Sequence, residues 1–208
     1  MRLFSKKNKV TFRHGIVIKE YPDEAALFRE ALALEYLGAA GLAVPALLGK
    51  EGNALKMEYI PGVPYADLVE ELSFEQARAL AAWLEEYHSI TSTLRGDCNL
   101  RNFLWYEGRC VGVDFEDEPM FGEPEIDMGR ILAYAVTYHP PLTEAKETSA
   151  RFLLRAFANS NHLLDLEKVR YAYLAEIAAM NSRRKQYAVH PHSAALFFDR
   201  FSQEKIQN

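Results

Sequence analysis

Two short segments carry the side chains best suited to chemistry. In LRGDCNLRNFLW, residues 94–105, Asp97 and Asn102 stand five apart just before an apolar run, and in VGVDFE, residues 111–116, Asp114 and Glu116 flank a phenylalanine. Carboxylate and amide oxygens are hard donors of the kind magnesium prefers, with waters filling its remaining positions. A carboxylate beside a hydroxyl orients it and takes its proton. The tripeptide Arg95-Gly96-Asp97 also matches a cell-adhesion sequence, but three residues recur by chance and nothing else in the chain looks extracellular.

Composition limits what these segments belong to. The 208 residues are 49% hydrophobic and 25% charged, enough to bury a substantial core as one domain or two small lobes. A formal net charge of -5 provides no basic field for nucleic acid, and no apolar run is long enough to span a bilayer. No nucleic-acid or membrane partner is expected. The basic start, Met1 to Asn8, runs into Val10-Thr11-Phe12-Arg13-His14-Gly15 without a signal-like apolar stretch, so a cytoplasmic location is expected. Cys98 and Cys110 lack metal-type spacing and read as free thiols.

The elements that must position the oxygen donors follow from pattern. Residues 9–12 and 16–21 are β-prone runs around Arg13-His14-Gly15, a hairpin with Lys19 on its second strand. Residues 24–40 repeat Leu27, Ala31, Leu34 and Leu37 at helical steps and stop at Gly41. Strands are expected at 45–49 and 54–60, the second ended by Pro61-Gly62. Ser73 is a plausible N-cap for a helix whose face carries Phe74, Ala77, Leu80, Ala81, Leu84 and Tyr87. Strands at 103–106 and 110–115 and helices at about 124–137, 143–160, 166–182 and 193–204 complete an α+β chain. Its strand-rich first part meets a helical second part at the Pro-Gly junction.

The ordered set MEYIPG, RGDCNLRN and VGVDFE resembles the aminoglycoside phosphotransferase and choline kinase branch of the protein-kinase-like superfamily. The catalytic loop there usually reads His-Gly-Asp, four residues, then Asn; Arg95-Gly96-Asp97 through Asn102 matches except at the first position. Asp114-Phe115-Glu116 matches the metal motif, and Glu30, Leu34, Leu37, Gly41 and Pro45 fall where the first helix and following strand belong. The resemblance implies a two-lobed fold, with a nucleotide-binding lobe over 1–60 holding a small sheet and one helix, and a mainly helical catalytic and substrate lobe over 61–208. It implies an ATP-dependent phosphotransferase with a small hydroxylated molecule as acceptor. Asp97 would be the catalytic base, Asn102 and Asp114 would hold Mg2+, and Lys19, steadied by Glu30, would contact the nucleotide phosphates. The Glu58 carbonyl and Ile60 amide would meet the adenine, with Met57 behind it. Asp127, in EPEIDMGR, would brace the catalytic loop, although an acid near a helix start also suits the helix dipole. Glu116 would bind a second magnesium or face water.

Departures from the pattern carry expectations of their own. Eighteen residues precede Lys19, and Ser5-Lys6-Lys7-Asn8-Lys9 contains no glycine, so the phosphate-covering loop is expected to be short or missing. Lys6, Lys7 and Lys9 would replace it by charge, or form a frayed terminus. Arg95 stands in place of the histidine, with Asp117 or Glu118 as its expected partner. Arg101 is expected to neutralise the transferred phosphate. His190-Pro191-His192 reads as a polar loop and not a metal site, Ser182-Arg183-Arg184-Lys185 as a solvated helix end or an anion site, and Tyr134, Tyr138, Phe152 and Phe157 as core. Two other readings stay open: a small atypical protein kinase of the Rio type, and a nucleotide-binding pseudokinase scaffold, for which five retained site residues would be superfluous.

Overall fold

The computed structural model describes residues 2–3, 8–160, 164–183 and 188–203. Strands β1 (Arg2–Leu3), β2 (Lys9–Arg13) and β3 (Ile16–Glu20) precede helix α1 (Glu24–Ala39), and β4 (Leu47–Glu51) and β5 (Ala54–Glu58) follow it. They form one antiparallel sheet in the order β1-β2-β3-β5-β4. Lys19 pairs with Val10 on one side and Leu55 on the other, so its position is fixed by a central strand. The short β1 is a strand the sequence did not disclose: Arg2 and Leu3 pair with Thr11 and Val10. Lys6 and Lys7 lie outside the described residues.

Helix α1 is capped by the Asp23 carboxylate, which accepts from the Ala25 N–H, and buries Ala26, Leu27, Glu30, Leu34 and Leu37. That stripe places a glutamate among leucines, directly opposite β3. At the helix end Gly41 has φ +91°, a left-handed turn that glycine adopts without strain, and the Leu42 N–H returns to the Leu37 carbonyl. β4 begins two residues later than expected and runs on to Glu51, because the turn needs only Gly52 and Asn53. β5 stops at Glu58, short of the expected Ile60 and three residues ahead of Pro61.

The second part opens with β6 (Val63–Pro64) and the one-turn α2 (Tyr65–Leu68), then α3 (Phe74–Thr91). Ser73 caps α3 in a full capping box with Gln76. A 3-10 turn (Leu100–Asn102), β7 (Phe103–Tyr106) and β8 (Arg109–Gly112) follow, with β6, β7 and β8 forming a second antiparallel sheet. Helices α4 (Pro124–Thr137), α5 (Glu144–Ser160), α6 (Leu166–Arg183) and α7 (Pro191–Ser202) close the chain. β8 ends at Gly112, earlier than the expected Phe115, because Asp114 turns to φ +68° and leaves the strand.

One hydrophobic cluster runs through both parts, from Leu27, Leu55 and Met57 through Trp83 and Phe103 to Tyr173 and Phe198. Of the aromatics expected in the core, Phe157 is buried while Tyr134, Tyr138 and Phe152 are half-buried. Both cysteines are buried and free. His190 caps α7, its Nδ1 accepting from the His192 N–H. Among the described residues no helix is long and apolar enough to cross a membrane.

Candidate active site

Lys19 lies at the centre of a charged cluster. It is 5% exposed, and its Nζ donates to Glu30 at 2.6 Å and to Asp114 at 2.5 Å, with Glu116 at 3.3 Å. Burial pulls the lysine pKa down, but the charges of Glu30 and then Asp114 more than reverse this and leave it above the ordinary value. The ammonium is therefore charged at neutral pH. Tyr21, whose role the sequence did not reveal, donates its hydroxyl to Glu30 at 2.6 Å, and Asn8 donates its side-chain amide to Glu116.

The loop from Arg95 to Asn102 is held from beneath by Asp127, which has no exposed surface. Its carboxylate accepts from the backbone N–H groups of Arg95 at 2.6 Å and Gly96 at 3.2 Å, and meets His88 Nε2 at 2.8 Å. Burial pushes this carboxyl up, yet hydrogen bonds from His88, the Arg95 backbone and the Cys98 thiol win and hold it below the usual aspartate range. Gly96, at φ +78°, makes the sharp turn that aims two successive N–H groups at one carboxylate. Arg130 adds a bond from Nη1 to the Gly96 carbonyl.

Beyond that turn, the Asp97 carboxylate is half-buried and accepts from the Asn99 N–H at 3.1 Å. The Asn102 backbone carbonyl accepts from the Val113 N–H at 2.9 Å, which ties this loop to the segment carrying Asp114. Asn102 turns its Nδ2 toward the Asp97 carbonyl at 3.4 Å, leaving Oδ1 as its acceptor face. Tyr138 donates to Asn99 Oδ1 at 2.8 Å, and the Tyr134 hydroxyl is pushed up to about 12 by burial, with Asp97 and Glu176 adding negative charge nearby. These two tyrosines border the catalytic-type loop, a position that helical spacing alone does not disclose.

Glu30, Asp114 and Glu116 offer oxygens within 4.8 Å of one another, the one such group of acids, histidines or cysteines among the described residues. Lys19 is already the cation among them. The Asn102 amide oxygen and the Asp114 and Glu116 carboxylates are hard donors of the type a divalent ion takes, Glu30 being bound to the lysine.

The partners of Arg95 differ from those expected. Arg95 does not pair with Asp117 or Glu118. Its Nη2 donates to the Val113 carbonyl at 2.8 Å and the Asp114 carbonyl at 2.6 Å, and its guanidinium lies 4.6 Å from the Phe115 ring centre. Glu118 faces Arg29 instead, and Arg29 Nε donates to the Glu116 carbonyl at 2.7 Å. Lys9 pairs with Glu20 at 2.7 Å on the exposed face of the hairpin. Arg101 is exposed. Arg183 pairs with Glu176, while Arg184 and Lys185 lie outside the described residues. Met57 and Ile60 are buried; Glu58 is exposed and accepts from the Ala46 N–H. A cavity of about 380 Å3 touches Glu58 and Ile60 but lies toward Ala43–Leu47 and the end of α1, with none of Lys19, Asp97 or Asp114 in its wall.

No protein-family model and no curated protein matches the chain. Solved structures do. The aminoglycoside phosphotransferase APH(2'')-Ib with ADP bound superposes with a TM-score of 0.65 at 15% identity, over 97% of this chain and 91% of that one. A choline/ethanolamine kinase family protein from Mesorhizobium loti gives 0.62 at 13% identity, covering 97% and 86%. The complex of streptomycin, ATP and APH(2'')-IIa gives 0.61 at 14% identity, covering 94% and 91%. At such identities the likeness establishes the two-lobed, protein-kinase-like fold of these phosphotransferases.

Proposed function

We propose that the chain is an ATP-dependent phosphotransferase that moves the γ-phosphoryl group of a nucleotide to a hydroxyl of a small molecule. The observation that carries this is the buried Lys19, held charged between Glu30 and Asp114 beside a loop that Asp127 fastens. A structural ion pair has no need of a third, half-exposed carboxylate. Phosphoryl transfer asks the protein mainly to align the reactants and to offset charge. In this reading Lys19 contacts the α- and β-phosphates while Glu30, kept in place by Tyr21, holds the ammonium. The Glu58 carbonyl and Ile60 amide meet the adenine edge, with Met57 behind, and the lobes divide at 60/61.

Asp97 orients the acceptor hydroxyl and takes its proton as the acceptor oxygen bonds to the γ-phosphorus; the bond from phosphorus to the bridging oxygen breaks, and ADP leaves with that oxygen. Arg101 offsets charge on the transferred group. Asn102 and Asp114 would hold Mg2+, with Glu116 beside them, and the ion would supply positive charge at the phosphate oxygens. The ADP-bound and streptomycin–ATP forms of the neighbours support a nucleotide and a small-molecule acceptor.

Thermal shift with ATP, with and without Mg2+, followed by ATP hydrolysis in wild type and Asp97→Ala, tests the reading. Mg2+-dependent stabilisation together with slow hydrolysis that Asp97→Ala abolishes is expected. Nucleotide binding blind to Mg2+, with no turnover, would assign the chain a scaffolding role instead.

A further inference from the structure

Arg95 is 4% exposed and has no carboxylate partner among the described residues. A buried guanidinium is tolerated only when something answers its charge. Here two consecutive backbone carbonyls do so, both accepting from Nη2, and the Phe115 ring lies against the guanidinium. The Val113 carbonyl belongs to the peptide before Asp114 and the Asp114 carbonyl to the peptide after it. Holding both peptide planes from one nitrogen restrains φ and ψ of Asp114, and hence the direction of its Cα–Cβ bond. The held conformation is uncommon, since Asp114 has φ +68°, a region that L residues rarely enter. Arg95 is itself anchored by its backbone N–H to Asp127, and Asp97 follows two residues later.

We infer that Arg95 is a positioning residue that holds the Asp114 backbone in its left-handed turn, and so aims the Asp114 carboxylate at the Mg2+ of the nucleotide complex. The inference rests on the phosphotransferase reading. In this role Arg95, itself buried, acts through the peptide planes around Asp114, and in the same stroke ties the loop carrying Asp97 to the segment carrying Asp114. Neither of the acids first expected to answer it provides such a link, because Asp117 and Glu118 are exposed and sit past the turn.

The structure also offers a way to separate positioning from simple stability. Arg95 and Phe115 line a cavity of about 370 Å3 walled by Leu32, Ala33, Tyr36 and Leu94, so a small guanidinium has room to reach the space that Arg95→Ala would open. The experiment is a Mg2+ titration of the thermal shift at fixed ATP, in wild type, Arg95→Ala, Arg95→Ala with ethylguanidine, and Arg95→Lys. Loss of an outer partner of a metal ligand weakens metal binding about ten- to a hundredfold, so the Mg2+ midpoint of Arg95→Ala should rise by that factor. The shift from metal-free ATP should be kept, and ethylguanidine, but not ethylamine, should bring the midpoint back toward wild type. A wild-type midpoint in Arg95→Ala overturns the inference, however far the melting temperature falls. Should Arg95→Ala not fold, Arg95→Lys decides: its nitrogen ends one bond short of Arg95 Nη2 and does not reach both carbonyls, so a raised midpoint supports the inference and an unchanged one overturns it. A wild type that ignores Mg2+ overturns the phosphotransferase reading as well, whereas a normal wild type with an unaffected Arg95→Ala removes the positioning role alone.

Discussion

Burying an ammonium group is unfavourable, and Lys19 persists because Glu30, 2% exposed, and Asp114 compensate it at hydrogen-bond distance. Removing one member of such a set leaves the other charges buried without an answer, which costs about 3–5 kcal/mol. Lys19→Met should therefore lower stability in urea unfolding by about 3 kcal/mol, and Lys19→Met/Glu30→Gln should recover part of that loss, since the introduced amide oxygen would still accept the Tyr21 hydroxyl. Equal losses in the single and double variants would mean that the pair is not the unit. Asp127 provides a second test through pH. Its carboxyl is held below the usual range, so the folded state binds its proton less readily than the unfolded chain. The resulting stability is present above the ordinary aspartate pKa of about 3.9 and is lost as pH falls through the lower folded value. The stability difference between wild type and Asp127→Asn should hold from neutrality down to about pH 4 and shrink below it; a difference flat to pH 2 would contradict the hydrogen-bond account. These residues are unequally legible in the sequence. Lys19 and Glu30 can be paired from the sequence only through the family resemblance, whereas Arg95 points to nearby acids because sequence shows charged side chains and conceals which backbone carbonyls lie bare beside them.

Helices were the most legible elements, because a stripe such as Ala77, Leu80, Ala81 and Leu84 repeats often enough to reveal its period, and Ser73 marks the start. β1, β6 and α2 are two to four residues long, too short for any period, and their existence is decided by the neighbours they pair with or pack on. The same limit applies to helix contacts. Gly129 in α4 reads as a weak point in a helix, where alanine is intrinsically better by about 1 kcal/mol. In the structure a Cβ there would stand 2.6 Å from the Val169 carbonyl oxygen and 2.7 Å from the Tyr173 nitrogen, so α6 crosses directly over it. Backbone cannot yield as a side-chain end can, and overpacking of this kind costs about 1–3 kcal/mol. Packing should outweigh propensity: Gly129→Ala is expected to lower the melting temperature, and a rise would mean that the two helices sit farther apart than described. Ser73→Ala should cost about 1 kcal/mol through loss of the cap, measured in the same melts.

At the scale of the whole molecule, the order of strand-rich and helical parts was readable from composition along the chain, but their degree of mutual dependence was not. The proposed boundary at 60/61 suggests two lobes, yet the contacts across it are direct. The Ala43 carbonyl accepts from Trp83 Nε1 at 2.8 Å and from the Gly112 N–H at 3.1 Å, Tyr36 donates to the Ile90 carbonyl at 3.0 Å, and Arg29 reaches the Glu116 carbonyl. Leu27, Leu37, Leu55 and Met57 belong to the same hydrophobic cluster as the helices of the second part. A chain of about 60 residues buries only about 60% of the surface it exposes when unfolded and is marginal even with a core of its own. The first lobe shares its core, and Glu30 and Lys19 would lose Asp114 besides. Full-length protein should therefore melt in one transition that coincides by near- and far-ultraviolet circular dichroism, and the isolated 1–60 fragment should show no cooperative melt. A fragment that unfolds cooperatively would locate the lobe's stability within its own sheet and helix, and would make the contacts through Ala43 and Trp83 a docking interface between two independent units.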